Sequence, residues 1–277
     1  MKISNLFYIL LLVLISSCGL EREIDLNLPE YEEKLVVECY LERGKPIQLL
    51  LTESQAFLAP ADSVPFVMDA KVIIKNNGKE YPLLPSIKVD SIFGKVYNYV
   101  SFDSIPTNPS GVFELEITDT KNRKVTGQTK FLDFLPIKEY SWEFEDKDAE
   151  VKDDSAKAYV LLRHNISPSD DYYRFIINKK NGNTFANDLD FEYKGITATN
   201  GEITVGSPYN YKNKDTIQIQ LHHIERQFLD YLRSVEAASD AAGNPFAQPS
   251  PIISSVKGGI GIFTTIQYDE AFTVITK

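Results

Sequence analysis

From Lys34 onward the chain alternates apolar and polar positions in a train of short segments, each bounded by Gly, Pro, Asn or Asp. A period of two sends successive side chains to opposite faces of a half-buried strand, so each segment predicts one. In the first half these are Lys34–Leu41, Pro46–Glu53, Ala70–Asn76, Lys79–Leu84, Lys95–Phe102, Val112–Asp119 and Arg123–Phe131. The pattern is clearest in VFELEITD, where Phe113, Leu115 and Ile117 share a face opposite Glu114, Glu116 and Thr118. Turn signals such as NNGK and TNPSG lie between segments. Short strands at this spacing, with no helical periodicity, predict an immunoglobulin-like β-sandwich.

FLPIKEY makes a seam at Pro136, because proline after an edge strand stops pairing and stiffens a connection. Strands resume at Lys138–Phe144, Ala156–Asn165, Tyr172–Lys179, Lys214–His223 and Gly261–Tyr268, with AFTVITK as the last. The acidic stretch EDKDAEVKDD and the Gly- and Asn-rich residues 181–211 are expected to be irregular. One helix is predicted over 224–242, since Ile224, Phe228, Tyr231, Leu232 and Val235 fall on a single stripe opposite Glu225, Arg226, Asp230, Arg233 and Glu236. Gly243 and Pro245 end it, and its stripe is expected to cover the second sheet. The expected fold is therefore mainly β: two immunoglobulin-like or β-sandwich domains, 31–135 and 136–277, the second carrying one amphipathic helix.

The first 17 residues have a different pattern, with Lys2 followed by an unbroken apolar run of ten residues, Leu6–Ile15. A bilayer span needs about 20 apolar residues, whereas a secretory signal core needs only about 7 to 15. Ile15, Ser16, Ser17 and Cys18 then resemble the lipobox of bacterial lipoprotein precursors. That resemblance implies cleavage before Cys18 and acylation of its sulfur and new amino group, since two or more chains anchor durably where one does not. Gly19 in place of an Asp points to the outer membrane by analogy with Gram-negative sorting. Glu21, Glu23 and Asp25 leave both faces of that membrane open. Residues 18–30 are expected to be a tether.

Removing residues 1–17 would leave 277 − 17 = 260 residues and, with Lys2 gone, 28 basic against 39 acidic side chains, a net charge of −11. Such a surface repels phosphate backbones and anionic headgroups, which argues against nucleic acid as a partner. With Cys18 acylated, Cys39 has no disulfide partner. In KLVVECYL it shares a face with Leu35, Val37 and Leu41, so its thiol is expected in the core and not at a reactive site.

Few residues offer chemistry. His164, His222 and His223 are the only histidines. The last two are adjacent in a strand and point apart, so they do not form a metal grip. No G-x-S-x-G or H-E-x-x-H occurs, and the acidic pairs Asp153–Asp154 and Asp170–Asp171 lack a calcium-loop spacing. No cofactor, metal or catalytic residue is indicated. Trp142, Tyr172, Tyr173, Tyr209 and Tyr211 are candidates for an aromatic platform, with Tyr209 and Tyr211 favoured by their polar neighbours. GGIGIF follows a helix and enters a strand, which excludes a dinucleotide loop and leaves a tight turn.

The lipobox at Cys18, KLVVECYLERG, and the helix followed by NPFAQPSPIISSVKGGIGIF resemble a family of Gram-negative Bacteroidota lipoproteins, domain of unknown function forty-two forty-nine. Its motif covers Asn244, Pro245, Phe246, Pro249, Gly258, Gly259, Gly261 and Phe263. Two positions depart from it, Cys39 where the family tends to glycine and Ser255 where it tends to asparagine. The resemblance implies a non-catalytic accessory of a TonB-dependent outer-membrane transporter, with Phe246 a candidate partner contact. The alternatives are a cell-surface hydrolase and a glycan- or protein-binding adhesion module.

Overall fold

The computed structural model describes residues 31–56, 64–90, 95–145, 156–167, 172–195, 200–242, 248 and 250–277. Cys18, the signal and tether, the end of the helix at Gly243, and Asn244, Pro245, Phe246 and Pro249 lie outside them.

Seven strands of the first half form where alternation predicts them: β1 (Leu35–Glu42), β2 (Pro46–Glu53), β3 (Lys71–Asn76), β4 (Lys79–Asp90), β5 (Lys95–Ser104), β6 (Val112–Thr118) and β7 (Lys124–Lys130). They share one sheet of nine strands with β15 (Val256–Lys257) and β16 (Ile260–Ile266), in the order β15-β7-β6-β3-β4-β5-β2-β1-β16. β15 and β16 occupy opposite ends of that order yet are joined only by Gly258 and Gly259, so the chain itself bridges the two edges and curls the sheet toward a barrel. Closure removes exposed edges that would otherwise template aggregation. The interior is filled from the predicted faces: Leu35, Val37, Cys39 and Leu41 of β1, Phe113, Leu115 and Ile117 of β6, and Phe263 of β16, all buried.

The second half forms two sheets that face each other. β9 (Lys157–Asn165) pairs with β8 (Ile137–Phe144) on one edge, and on the other with β12 (Glu202–Gly206) and β13 (Tyr211–Lys212). The facing sheet has the order β11-β10-β14-β17, from Thr184–Lys194, Tyr172–Asn181, Thr216–His223 and Tyr268–Val274. Ala158, Val160 and Leu162 meet Phe175, Ile177, Ile217, Ile219 and Leu221 between them. Residues 181–211, expected to be irregular, instead hold β11, β12 and β13. β11 is an edge strand, so its residues 184–188 are exposed on both faces and its Asn and Asp content looks like a loop.

The seam at Pro136 is crossed again near the C-terminus, because β15 and β16 belong to the first sheet and β17 to the second. Only Gln267 separates β16 from β17. This buried side chain donates to Leu132 O (2.6 Å) and Asp133 O (3.0 Å) and accepts from Arg43 (2.8 Å). Every polar atom of its amide is thereby used at the joint between the two bodies.

The helix α1 (Arg226–Ala242) lies elsewhere than expected. Its buried residues are Phe228, Leu229, Tyr231 and Ser234, and they pack with Ile262 of β16, Tyr40 of β1 and Tyr172 of β10, so it covers the outer side of the first sheet. Val235, expected on the apolar stripe, is 39% exposed. The reason is the parallel pairing of β1 with β16, the only parallel pair among the described residues. β16 is buried on both faces, Phe263 inward and Ile262 outward, and parallel pairs are covered on both sides in this way.

Candidate functional site

The sheet β11-β10-β14-β17 turns one face into the sandwich and the other outward. Its register lays the outward side chains in rows across four strands. The first is Glu192–Arg174–His222–Tyr268, the second Asp190–Ile176–Gln220–Glu270, and the third Asn187–Asn178–Gln218–Phe272. The first row is covered. His222 is buried against the Tyr268 ring at 4.8 Å, and Arg174 lies 5.9 Å from the Phe228 ring of α1. Burial, helped by the charge of Arg174, pushes the His222 imidazole down to about 3, so it stays neutral at physiological pH. Burial raises the Glu192 carboxyl, partly offset by Arg174.

The other two rows form a linked polar surface. Arg174 donates to both carboxylate oxygens of Asp190, at 2.6 and 2.5 Å, the bidentate arrangement a planar guanidinium favours. Asn178 donates to Gln218 (3.0 Å), which donates to Glu270 (2.6 Å). Phe185 of β11 and Phe272 of β17 come from opposite edges of the sheet and meet edge to face, with ring centres 5.6 Å apart. Both rings are open to solvent, at 40% and 56% exposure. An exposed aromatic pair beside amides and carboxylates can stack on one part of a ligand and hydrogen-bond another.

The residues singled out from sequence do not gather there. Tyr209 is exposed and packs edge to face on Tyr159, 4.9 Å away, beside the opposite sheet. Tyr211 is fully buried in the sandwich core, which corrects its assignment as a ligand contact. Tyr209 precedes β13, which turns Tyr211 inward, and burial together with Asp188 raises the Tyr211 phenol. Tyr173 is buried, Tyr172 accepts a hydrogen bond from Arg226 of α1 (3.1 Å), and the Trp142 indole donates to Thr276 O (2.7 Å). These aromatics therefore form no single platform. Phe272 was legible only as a strand former and Phe185 fell in a stretch expected to be irregular, and nothing in the pattern says that two edge strands close over one face.

The histidines are all built into packing. His164 bonds Tyr193 Oη (2.6 Å) and Asn165 O (2.8 Å), and His223 bonds Asp133 O (2.8 Å) and stacks on Tyr173, while His222 points to the opposite face. Cys39 is a free, buried thiol raised by burial. Among the described residues no group of three or more His, Cys, Asp or Glu could hold a metal ion.

The glycine segment has a structural role. A side chain at Gly258 would meet Lys124 O at 2.1 Å, at Gly259 Leu35 O at 2.7 Å and at Gly261 Val37 O at 2.0 Å. These glycines let the chain pass between β7 and β1 and close the first sheet. Ser255 completes the closure, since its hydroxyl accepts from Phe263 N (2.8 Å) and donates to Phe263 O (3.2 Å). A sequence model of the family described as Domain of unknown function (DUF4249) matches residues 21–271. The chain belongs to this family. Within it, Gly258, Gly259, Gly261 and Phe263 are the residues that bind the C-terminal part of the chain to the N-terminal sheet. No curated protein matches the chain.

Proposed function

We propose that this protein is an outer-membrane lipoprotein, anchored through acylated Cys18, that acts by binding as an accessory of a TonB-dependent transporter. The observation that supports binding over turnover is where the reactive side chains go: His164, His222, His223 and Cys39 are all buried in packing. The anchoring rests on the lipobox, and the transporter on the family likeness. A protein of this kind needs a rigid body and an accessible surface, and the closed sheet joined to a sandwich supplies both. The test is recovery of the full chain, affinity-tagged at its own locus, from membranes solubilised in mild detergent. A large β-barrel receptor recovered in near-equal amount is the expected result. Recovery with no β-barrel protein would contradict the transporter partnership.

A further inference from the structure

We infer that the open face of the second sandwich, around Phe185, Phe272, Asn178, Gln218 and Glu270, binds a short stretch of uncharged carbohydrate. This inference stands beside the transporter reading and does not rest on it. A pyranose ring has an apolar C–H face and a rim of hydroxyls, each both donor and acceptor. Recognition therefore calls for an exposed aromatic face beside groups that accept and donate in fixed planes. Phe185 and Phe272 provide the first, in contact at 5.6 Å and open to solvent. The second comes from the Asn178, Gln218 and Glu270 chain, held in place by its own hydrogen bonds at 3.0 and 2.6 Å. Ordering these side chains before binding reduces the entropy that binding must offset.

Size and charge separate this occupant from others. With strands spaced about 4.8 Å and like-facing residues about 6.7 Å apart, the two open rows and the next one, where Phe185 pairs with Lys180 and Thr216 with Val274, span about 14 by 13 Å, on the order of 200 Å². A stable protein interface takes about 800 Å² from each partner, several times the area of this face, which leaves a small occupant. The row Asn187–Asn178–Gln218–Phe272 carries no charge, and Arg174 is clasped by Asp190. The carboxylate next to the rings is that of Glu270, in a chain of net charge −10. Lys180, exposed across from Phe185, is the one cation beside the rings among the described residues, set against Glu270 and the net negative charge of the chain, so the face offers anionic groups no cluster of positive charge.

The experiment is affinity gel electrophoresis of the full chain, without its signal and with Cys18→Ser for solubility. The gels contain dextran, galactomannan, xyloglucan, mixed-linkage β-glucan or arabinan, with heparin and polygalacturonate as anionic arms. At least one neutral polysaccharide should retard the protein, equally at low salt and in 0.5 M NaCl (roughly, enough to screen surface charge). Phe272→Ala and Gln218→Ala should each weaken retardation at least about tenfold, a loss of about 1.4 kcal/mol. Tyr209→Ala, on the other sheet, should leave it unchanged. Thermal melts establish that each exposed variant is folded. Retardation by no neutral polysaccharide, by the anionic arms alone, or undiminished in both Phe272→Ala and Gln218→Ala would overturn the inference. Loss of retardation in NaCl would also overturn it. Loss of sugar binding with the β-barrel partner still recovered would leave the transporter reading standing, and the reverse result would separate the two in the other direction.

Discussion

Replacing Gly261 with alanine tests whether the closing strand depends on backbone approach. Gly261 has φ +120°, and an added Cβ would lie 2.0 Å from Val37 O, 2.9 Å from its carbonyl carbon and 3.0 Å from its nitrogen. A side chain in that region of φ costs on the order of 1–3 kcal/mol. Relief of the clash must move β16 away from β1 by about 1 Å, which weakens one or two ladder hydrogen bonds at about 1 kcal/mol each. The sum is about 2–5 kcal/mol, a large fraction of the roughly 5–15 kcal/mol that holds a domain folded. At about 2–4 °C per kcal/mol for a body of this size, the melting temperature should fall by about 4–20 °C. Gly182→Ala is the control, because Gly182 also has positive φ, +60°, but open space around the added atom. It should cost only about 1 kcal/mol. Urea unfolding followed by tryptophan fluorescence and circular dichroism measures both. Equal losses for the two variants would refute the close-approach argument.

Cys39 should not react with a thiol reagent at pH 8 in the native protein and should react with one equivalent once urea unfolds it, because burial raises its thiol above the ordinary range. His222 should make stability depend on pH. Its folded value, about 3, lies below the ordinary 6.5, so the unfolded chain binds the extra proton between them. Stability is therefore full above about 6.5 and falls with pH toward about 3, by at most about 1.4 kcal/mol per pH unit. The urea midpoint of His222→Gln should be flatter than that of the parent between pH 6.5 and 4 (approximately the window of the shift). Gln267→Met should cost about 2–3 kcal/mol, about 1 kcal/mol for each of the three hydrogen bonds it removes, to Leu132 O, Asp133 O and from Arg43, with faster amide exchange around residues 132–134 and 267 as the readout.

Alternation declared the inward faces of β1 and β6, and with them the burial of Cys39. It could not declare partners. A strand's pattern says which side is apolar but carries no address, so the pairing of β1 with β16, more than 200 residues away, was invisible. The same blindness misplaced the helix. Its stripe was visible, but the surface needing cover, Ile262 and Tyr40, exists only after that pairing. β11 was missed for a different reason. Leu189, Phe191 and Tyr193 do alternate toward the core, but the register shifts before them, leaving Phe185 and Asn187 on the outer face, and an edge strand half in solvent admits Asn and Asp that also mark loops. The candidate binding face inherits both difficulties, since it needs β11 to be a strand and β17 to be its distant sheet-mate. What the glycine segment does was half legible: a tight turn was expected, while closure of the N-terminal sheet by that turn depends on Lys124, Leu35 and Val37 standing across it.

The proposed membrane anchor is a single sulfur atom, that of Cys18, and the intact mass of native protein from its own cells tests it directly. It predicts a membrane-bound chain beginning at Cys18, heavier than residues 18–277 by a diacylglycerol and an amide-linked acyl chain. An unmodified polypeptide in the soluble fraction would contradict it.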